Sequence, residues 1–241
     1  MESIKDWLKR EDIKELHDRK SVGEVASLDF FRDPFRTVIH DKTLMYSPAD
    51  GIVMYALDRV EPDNFLEVKG ESYSLKDLLA DEDYKEPSLV VGIFMTSMDV
   101  HVNRVPNDSY YLESRDTENL YTHNSSMLLV EHSIFDEGKF NYDEMGYLFS
   151  NERKISTFYS PFLRGRYYIV QIGDRDVDVI LNWGVRDSLK QGQRFGQVRW
   201  GSQVDLIIPL DGRVKYELMV KKLDHVEAGL DPVVKVVGGL K

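Results

Sequence analysis

The chain has 241 residues, of which 42% are hydrophobic and 30% charged, with a formal net charge of −11 and no cysteine. This is the make-up of an ordinary soluble globular protein, long enough for one large domain or two small ones. It excludes disulfides, thiolate nucleophiles and cysteine-ligated metal centres, and the acidic balance argues against nucleic acid as a partner and against simple adhesion to anionic lipid.

The first thirty residues read as helical, with Ile4, Trp7 and Leu8 on one face and Ile13 and Leu16 further along. Such a helix either packs on its own domain or lies in a membrane interface, and the second role calls for more apolar area and more basic flanks than are present. From about Thr37 the texture becomes β-rich. Strands are expected at Thr43–Tyr46, Gly51–Leu57 and Phe65–Val68. Ser74 to Asp77 resembles a capping box opening a short helix built on Leu75, Leu78 and Leu79. Leu89–Thr96 is nearly continuous apolar sequence, as in a buried strand, and further strands are expected at 109–113, 126–131, 155–160, 166–172, 176–183, 203–209 and 214–221. No solenoid repeat, low-complexity tract or linker interrupts the pattern. The expected fold class is therefore α+β and β-rich, a single domain over 1–241 of short, mostly antiparallel strands with a helical N-terminal part.

No apolar run approaches the roughly 18 to 20 residues that cross a bilayer, and the N-terminus is charged and unlike a signal peptide. The expected location is cytoplasmic, with peripheral membrane contact left open. The six histidines (17, 40, 101, 123, 132 and 225) are scattered without a His-x-x-x-His pair, so no metal site is expected.

The pair Gly201-Ser202 carries the most chemistry. None of the twenty side chains is a good electrophile, so an enzyme that needs an electron sink binds a cofactor or makes one from its own backbone. A serine behind a glycine, late in the chain and leading into a strand, is a place where a chain can cut itself and build a ketone. Three other stations accompany it: the turn Ser47–Gly51 containing Asp50, the loop Asp99–Pro106 containing His101, Asn103 and Arg104, and Asn151–Arg153. Each has a plain structural reading alone, as a turn aspartate, a hydrogen-bonded loop histidine, an ion-paired arginine or a polar turn.

Taken in order, these blocks resemble the phosphatidylserine decarboxylase family. The similarity runs through Phe30–Phe35, Tyr46–Val53, Val68–Gly70, Tyr73–Leu79, Gly92–Pro106, Asn151–Arg153 and Arg194–Asp205, and is closest to the short branch without long membrane-anchoring extensions. The resemblance implies a pyruvoyl group made from Ser202. The Ser202 hydroxyl attacks the Gly201 carbonyl, moving the acyl group from nitrogen to oxygen. β-Elimination of that ester then leaves dehydroalanine, and hydrolysis gives the pyruvoyl cap and ammonia. Residues 1–201 and 202–241 become the two subunits. In the family an aspartate matching Asp50 orients a histidine that serves as base, in the manner of a serine-protease triad. Many members carry two histidines three apart, where this chain has His101 and Arg104. Arginine stays protonated, so His101 is the expected base, in self-cleavage and again as proton donor in turnover. Arg104 is expected to pair with a substrate phosphate or carboxylate, or else to form a structural ion pair, and Asn103 to help hold the same loop. The common Leu-Gly-Ser-Thr block is altered too, with Trp200 before the glycine and Gln203 after the serine.

The implied reaction converts phosphatidylserine at a membrane surface into phosphatidylethanolamine and CO2. Two alternatives stay open at this point: a soluble relative acting on a free amino acid or small phosphorylated serine, and a non-catalytic binding protein. Homo-oligomerisation is left open as well.

Overall fold

The computed structural model describes residues 1–18, 32–118, 120, 123–175, 180–183, 188–198 and 202–239. Its centre is a nine-stranded antiparallel sheet. The strand order is β1 (Glu2–Ser3), β16 (Asp224–Val226), β3 (Gly51–Val60), β6 (Ser88–Met95), β14 (Ser202–Pro209), β10 (Gly165–Gly173), β9 (Arg153–Ser160), β8 (Ser109–Thr117) and β12 (Ser188–Leu189). Two three-stranded sheets accompany it, β11 (Ile180–Asn182) with β13 (Arg194–Val198) and β7 (Val102–Arg104), and β15 (Lys215–Leu218) with β17 (Pro232–Gly238) and β2 (Leu44–Tyr46). A hairpin joins β4 (Leu66–Val68) to β5 (Glu71–Tyr73).

Both faces of the large sheet are covered. One packs against the short helices α1 (Ile4–Trp7), α2 (Glu11–Asp18), α3 (Leu75–Leu79), α4 (Leu128–Glu137) and α5 (Tyr147–Ser150), through Trp7, Leu78, Ile134 and Phe149 on Ile52, Phe94 and Ile207. The other packs Val53, Ile93, Val204 and Leu206 against Met45, Phe195 and Val234 of the small sheets. Double coverage explains the unbroken apolar run of β6, all of whose residues are buried, because neither side of that strand meets water. Each fully buried aliphatic or aromatic side chain of this kind contributes about 1.5–3 kcal/mol.

The sequence pattern locates β2, β4, β6, β9, β10, β14 and α3 to within two residues, while β3 and β8 run on to Val60 and Thr117, β15 stops at Leu218, and residues 176–179 of the strand expected at 176–183 lie outside the described residues. Ser74 caps α3, with Asp77 closing the capping box, as expected. Residues 126–131 are a correction. The segment lies in no strand, and α4 begins at Leu128. A short apolar run does not distinguish strand from helix by periodicity. Here Val130 and Ile134, one turn apart, are buried while Leu128 and Leu129 are exposed, and Gly138 ends the helix with φ +62°. The expected N-terminal helix is two short helices up to Asp18, and the rest of that expectation falls outside the described residues.

One set of polar side chains crosses the core as a closed group. Tyr55 donates to Asp205 (2.5 Å), Gln203 Nε2 donates to Tyr55 (2.8 Å) and Asp205 (2.7 Å), and Tyr147 donates to Gln203 (2.7 Å). Gly92 leaves the space that the Tyr55 ring fills. Burial raises the Asp205 carboxyl to about 7, against the pull of these donors.

Gly51, the first residue of β3, has φ +149° and no room for a side chain, since a Cβ there would collide with the Phe94 carbonyl. It allows β3 to close on β6 directly after Asp50. Gly51→Ala should destabilise the fold by at least about 2 kcal/mol, read as a lower urea midpoint at unchanged slope.

Candidate functional site

Ser202 is the first residue of β14 and is fully buried. It pairs with Met95 at the end of β6 on one side and with Gly173 at the end of β10 on the other. Its Oγ lies 3.3 Å from the Met95 thioether, a weak acceptor, and no stronger partner holds the hydroxyl among the described residues. Asn103 approaches the same sulfur from β7, at 3.9 Å, and its Oδ1 accepts a 2.8 Å hydrogen bond from Gln171 of β10. The arm that leads toward Ser202, β13, lies on β7 with Gly196 opposite Asn103, and Val198 donates to the His101 carbonyl at 3.2 Å. Residues anchored on either side of the 201–202 bond thus bear on β6, which carries Met95, on β7, which carries Asn103, and on His101 just before β7. Gly201 itself lies outside the described residues.

His101 is fully buried, and its Nδ1 is 2.9 Å from the Asp99 carbonyl. A carbonyl only accepts, so Nδ1 carries the proton and the lone pair of the neutral ring is on Nε2. Burial drives the imidazole pKa down to about 4, outweighing the Asp99 contacts that favour the charged form. The ring is therefore an unprotonated base at neutral pH.

The structure places Asp50 apart from that histidine's bonds. Arg36 forks both Asp50 oxygens at 2.6 and 2.5 Å, and the Ala228 amide donates at 2.7 Å. Burial raises the Asp50 carboxyl and the guanidinium opposes that rise. Among the described residues the Asp50 carboxylate bonds to Arg36 and Ala228, not to His101. Arg104 is likewise engaged, donating to the Gly192 carbonyl (3.0 Å) and to Asp33 (3.1 Å), with burial and Arg36 lowering its pKa. Position 203 points away from Ser202: Gln203 bonds to Tyr55, Tyr147 and Asp205 on the helix-covered face, while Ser202 faces Met95 of the other core.

Asn151 is a brace, with Nδ2 donating to the carbonyls of Ser125 and Gly173 at 2.8 Å each, and Gly173 is the residue opposite Ser202. Sequence reasoning missed Arg36, Met95, Gln171 and the pair Asp99–His225, in which His225 Nε2 is 2.7 Å from the Asp99 carboxylate. Only Asp99 had a local signal, two residues before His101. No group of three or more histidine or carboxylate side chains able to hold a metal occurs among the described residues.

A histidine buried in its neutral form makes stability pH-dependent. The unfolded ring titrates near 6.5 and the folded one near 4, so between those values the unfolded state binds the extra proton and stability falls as the solution is acidified. The full effect is on the order of 3 kcal/mol. Asp205, titrating near 7 in the fold, contributes in the opposite sense, losing stability as pH rises. His101→Gln should isolate the first effect: urea midpoints from pH 7 to 4.5 should fall less steeply in the variant than in the wild type.

The sequence profile of the phosphatidylserine decarboxylase family matches residues 26–233. A phosphatidylserine decarboxylase proenzyme of Wolbachia pipientis wMel is 28% identical over 188 residues, covering 77% of this chain and 66% of that protein. A proenzyme of the same name from Carboxydothermus hydrogenoformans is 29% identical over 211 residues, with 87% and 79% covered. Another, from Chlorobium limicola, is 28% identical over 207 residues, with 84% and 76% covered. The chain thus spans about two thirds of the length of the first relative and more of the other two. With the profile taking in Asp50, His101 and Ser202 together, the chain belongs to the phosphatidylserine decarboxylase family.

Proposed function

We propose that this chain is a proenzyme that cuts itself between Gly201 and Ser202 and then decarboxylates phosphatidylserine to phosphatidylethanolamine and CO2. The observation that carries the reading is Ser202 itself, buried at the head of β14 with its hydroxyl resting on the thioether of Met95, which Asn103 of β7 also approaches. The residues present suit a pyruvoyl group at position 202, because only a hydroxyl or thiol side chain can undergo the acyl shift and elimination, and no strong hydrogen bond restrains this one. Such a group supplies a ketone that takes the substrate amine and accepts the electron pair released with CO2.

The remaining work falls to the chain's own side chains. His101 Nε2 takes the Ser202 proton during self-cleavage, and its Nδ1–H stays on the Asp99 carbonyl, fixing tautomer and ring plane. In turnover the same nitrogen returns a proton to the substrate α-carbon. Asp50 serves the site in the uncut chain by tying Arg36 to the Ala228 segment, so any direct orientation of His101 by Asp50 requires that fork to open. Asn103, in the same buried cluster as Ser202, holds the loop. Arg104 meets a substrate phosphate by exchanging it for Asp33, whose carboxylate is about one third exposed. No helix among the described residues is long and apolar enough to cross a membrane, and the lipid is met by peripheral contact.

Intact mass spectrometry of the purified protein tests the reading, together with CO2 release from phosphatidylserine vesicles. Two fragments are expected, the smaller spanning 202–241 and beginning with a pyruvoyl cap. Ser202→Ala should remain one chain. His101→Ala should slow the split by about 100-fold or more, and Asp50→Ala should slow it severely. An uncut wild-type protein with an ordinary serine at 202 that still releases CO2 would refute the proposal.

A further inference from the structure

Asp99 is a junction that the proposed reaction does not use directly. Its Oδ2 accepts from the Thr96 amide (2.8 Å) and hydroxyl (2.7 Å), and its own amide donates to the Thr96 carbonyl at 3.0 Å, closing the turn that follows β6. Its carbonyl takes the His101 Nδ1–H bond at 2.9 Å. Its Oδ1 accepts from His225 Nε2 at 2.7 Å, and the His225 ring lies under Trp7, with centroids 4.4 Å apart and planes 16° from parallel. Both members of the pair are buried. Although burial alone would raise the Asp99 carboxyl, the His225 contact and the Thr96 donors hold it below its ordinary value.

His225 is not a base for Ser202. The ladder aligns His225 with Ile52, Ile52 with Phe94 and Phe94 with Gln203, three strand spacings or about 14 Å. Residues in such a row share a face, and Ile52 and Phe94 belong to the helix-covered core, opposite the face on which Ser202 meets Met95. What His225 touches is the turn that carries His101. It shares with Asp99, Asp50 and Arg36 a cavity of about 270 Å3. Both of these carboxylates are buried, the charge of Asp99 helps to raise the Asp50 carboxyl, and each has its own cationic or hydrogen-bonding partner.

We propose that His225 is a positioning residue: it holds the Asp99 carboxylate, and through the Thr96–Asp99 turn it sets the His101 ring against the reaction centre. This rests on the reading of His101 as the working base. The arrangement has a further consequence, because self-cleavage places His225 in the small fragment, whereas Asp99, His101 and Trp7 stay in the large one. The small fragment then contributes to the geometry of the base as well as the residue at its own N-terminus.

The test compares wild type, His225→Gln and His225→Leu. Glutamine keeps a donor where Nε2 stands, and leucine removes it. Leucine should lower kcat for decarboxylation about 10- to 100-fold with KM little changed, as expected for a misplaced base, and should slow self-cleavage in parallel. Glutamine should restore both rates to within a few-fold of wild type. Leucine equal to wild type, or glutamine no better than leucine in a folded protein, would overturn the proposal. A second readout depends neither on activity nor on folding of a variant: long-range proton–nitrogen spectra of the wild-type histidines. They should show His101 protonated at Nδ1 and His225 at Nε2, and either ring in the opposite tautomer would sink the inference. If the wild type neither splits nor releases CO2, the functional reading fails while these spectra still decide whether His225 and His101 are joined through Asp99.

Discussion

The ladder that grips β14 between β6 and β10 is the constraint on which the site depends. Ser202 is held by its backbone from both sides, and its side chain is committed to one face of the sheet by the two-residue period of the strand. A slip of one residue would exchange Ser202 for Gln203 and drive Val204 and Leu206 out of one core while forcing Asp205 into it. The Tyr55–Gln203–Asp205–Tyr147 set makes that slip costlier still, because these four polar groups satisfy one another only in the observed register. The hydroxyl proposed to react is thus located by interactions in which it takes no part. Its own contact, a thioether, is weak enough to leave it available.

The charges near the site follow a second rule. The chain is acidic overall, yet every buried carboxylate discussed here has a named donor set: Asp50 with Arg36 and Ala228, Asp99 with His225 and Thr96, and Asp205 with Tyr55 and Gln203. A buried ion pair adds little net stability, but removing one partner from it costs several kcal/mol. Such pairs therefore act as keys that tie the segments of Arg36 and Ala228 to Asp50 and strand β16, through His225, to the Asp99 turn. This is why Asp50, which the family resemblance assigns to the catalytic group, is found doing structural work in the uncut chain.

Much of this was legible in the sequence because it depends on local rules. The capping box at Ser74 fixes α3, the apolar run at Leu89 marks β6, and Gly51 after Asp50 marks a backbone position that excludes a side chain. Residues 126–131 misled because Leu128, Leu129 and Val130 in a row suit either helix or strand, and only the burial of Val130 and Ile134 one turn apart settles the choice. The partners were not legible. Arg36 and Asp50 are 14 residues apart, while Asp99 and His225 are separated by 126, and no spacing rule links an arginine in an irregular segment to a strand end, or one scattered histidine among six to a distant aspartate. Long-range polar pairing is decided by sheet topology, which places β16 beside β3 and so brings His225 under Trp7.

On the proposed reading, the same topology orders the events of maturation. Four described strands follow the cleavage point, β14 to β17, and among them only β15 and β17 pair with each other. β14 is sandwiched between two strands of the larger piece, β16 lies between β1 and β3, and the outer edge of β17 is covered by β2. A piece of some 40 residues is also near the lower limit at which a chain can bury enough surface to fold alone. The described strands of residues 202–239 therefore find most of their ladder partners in the preceding part of the chain, and the cut proposed ahead of Ser202 would meet its folded setting only after the whole chain has assembled. Folding would then precede the proposed cut. With the bond cut as proposed, the ladders, the Ala228 contacts of Asp50 and Arg36 and the Asp99–His225 pair would all span the two pieces and keep the small one seated.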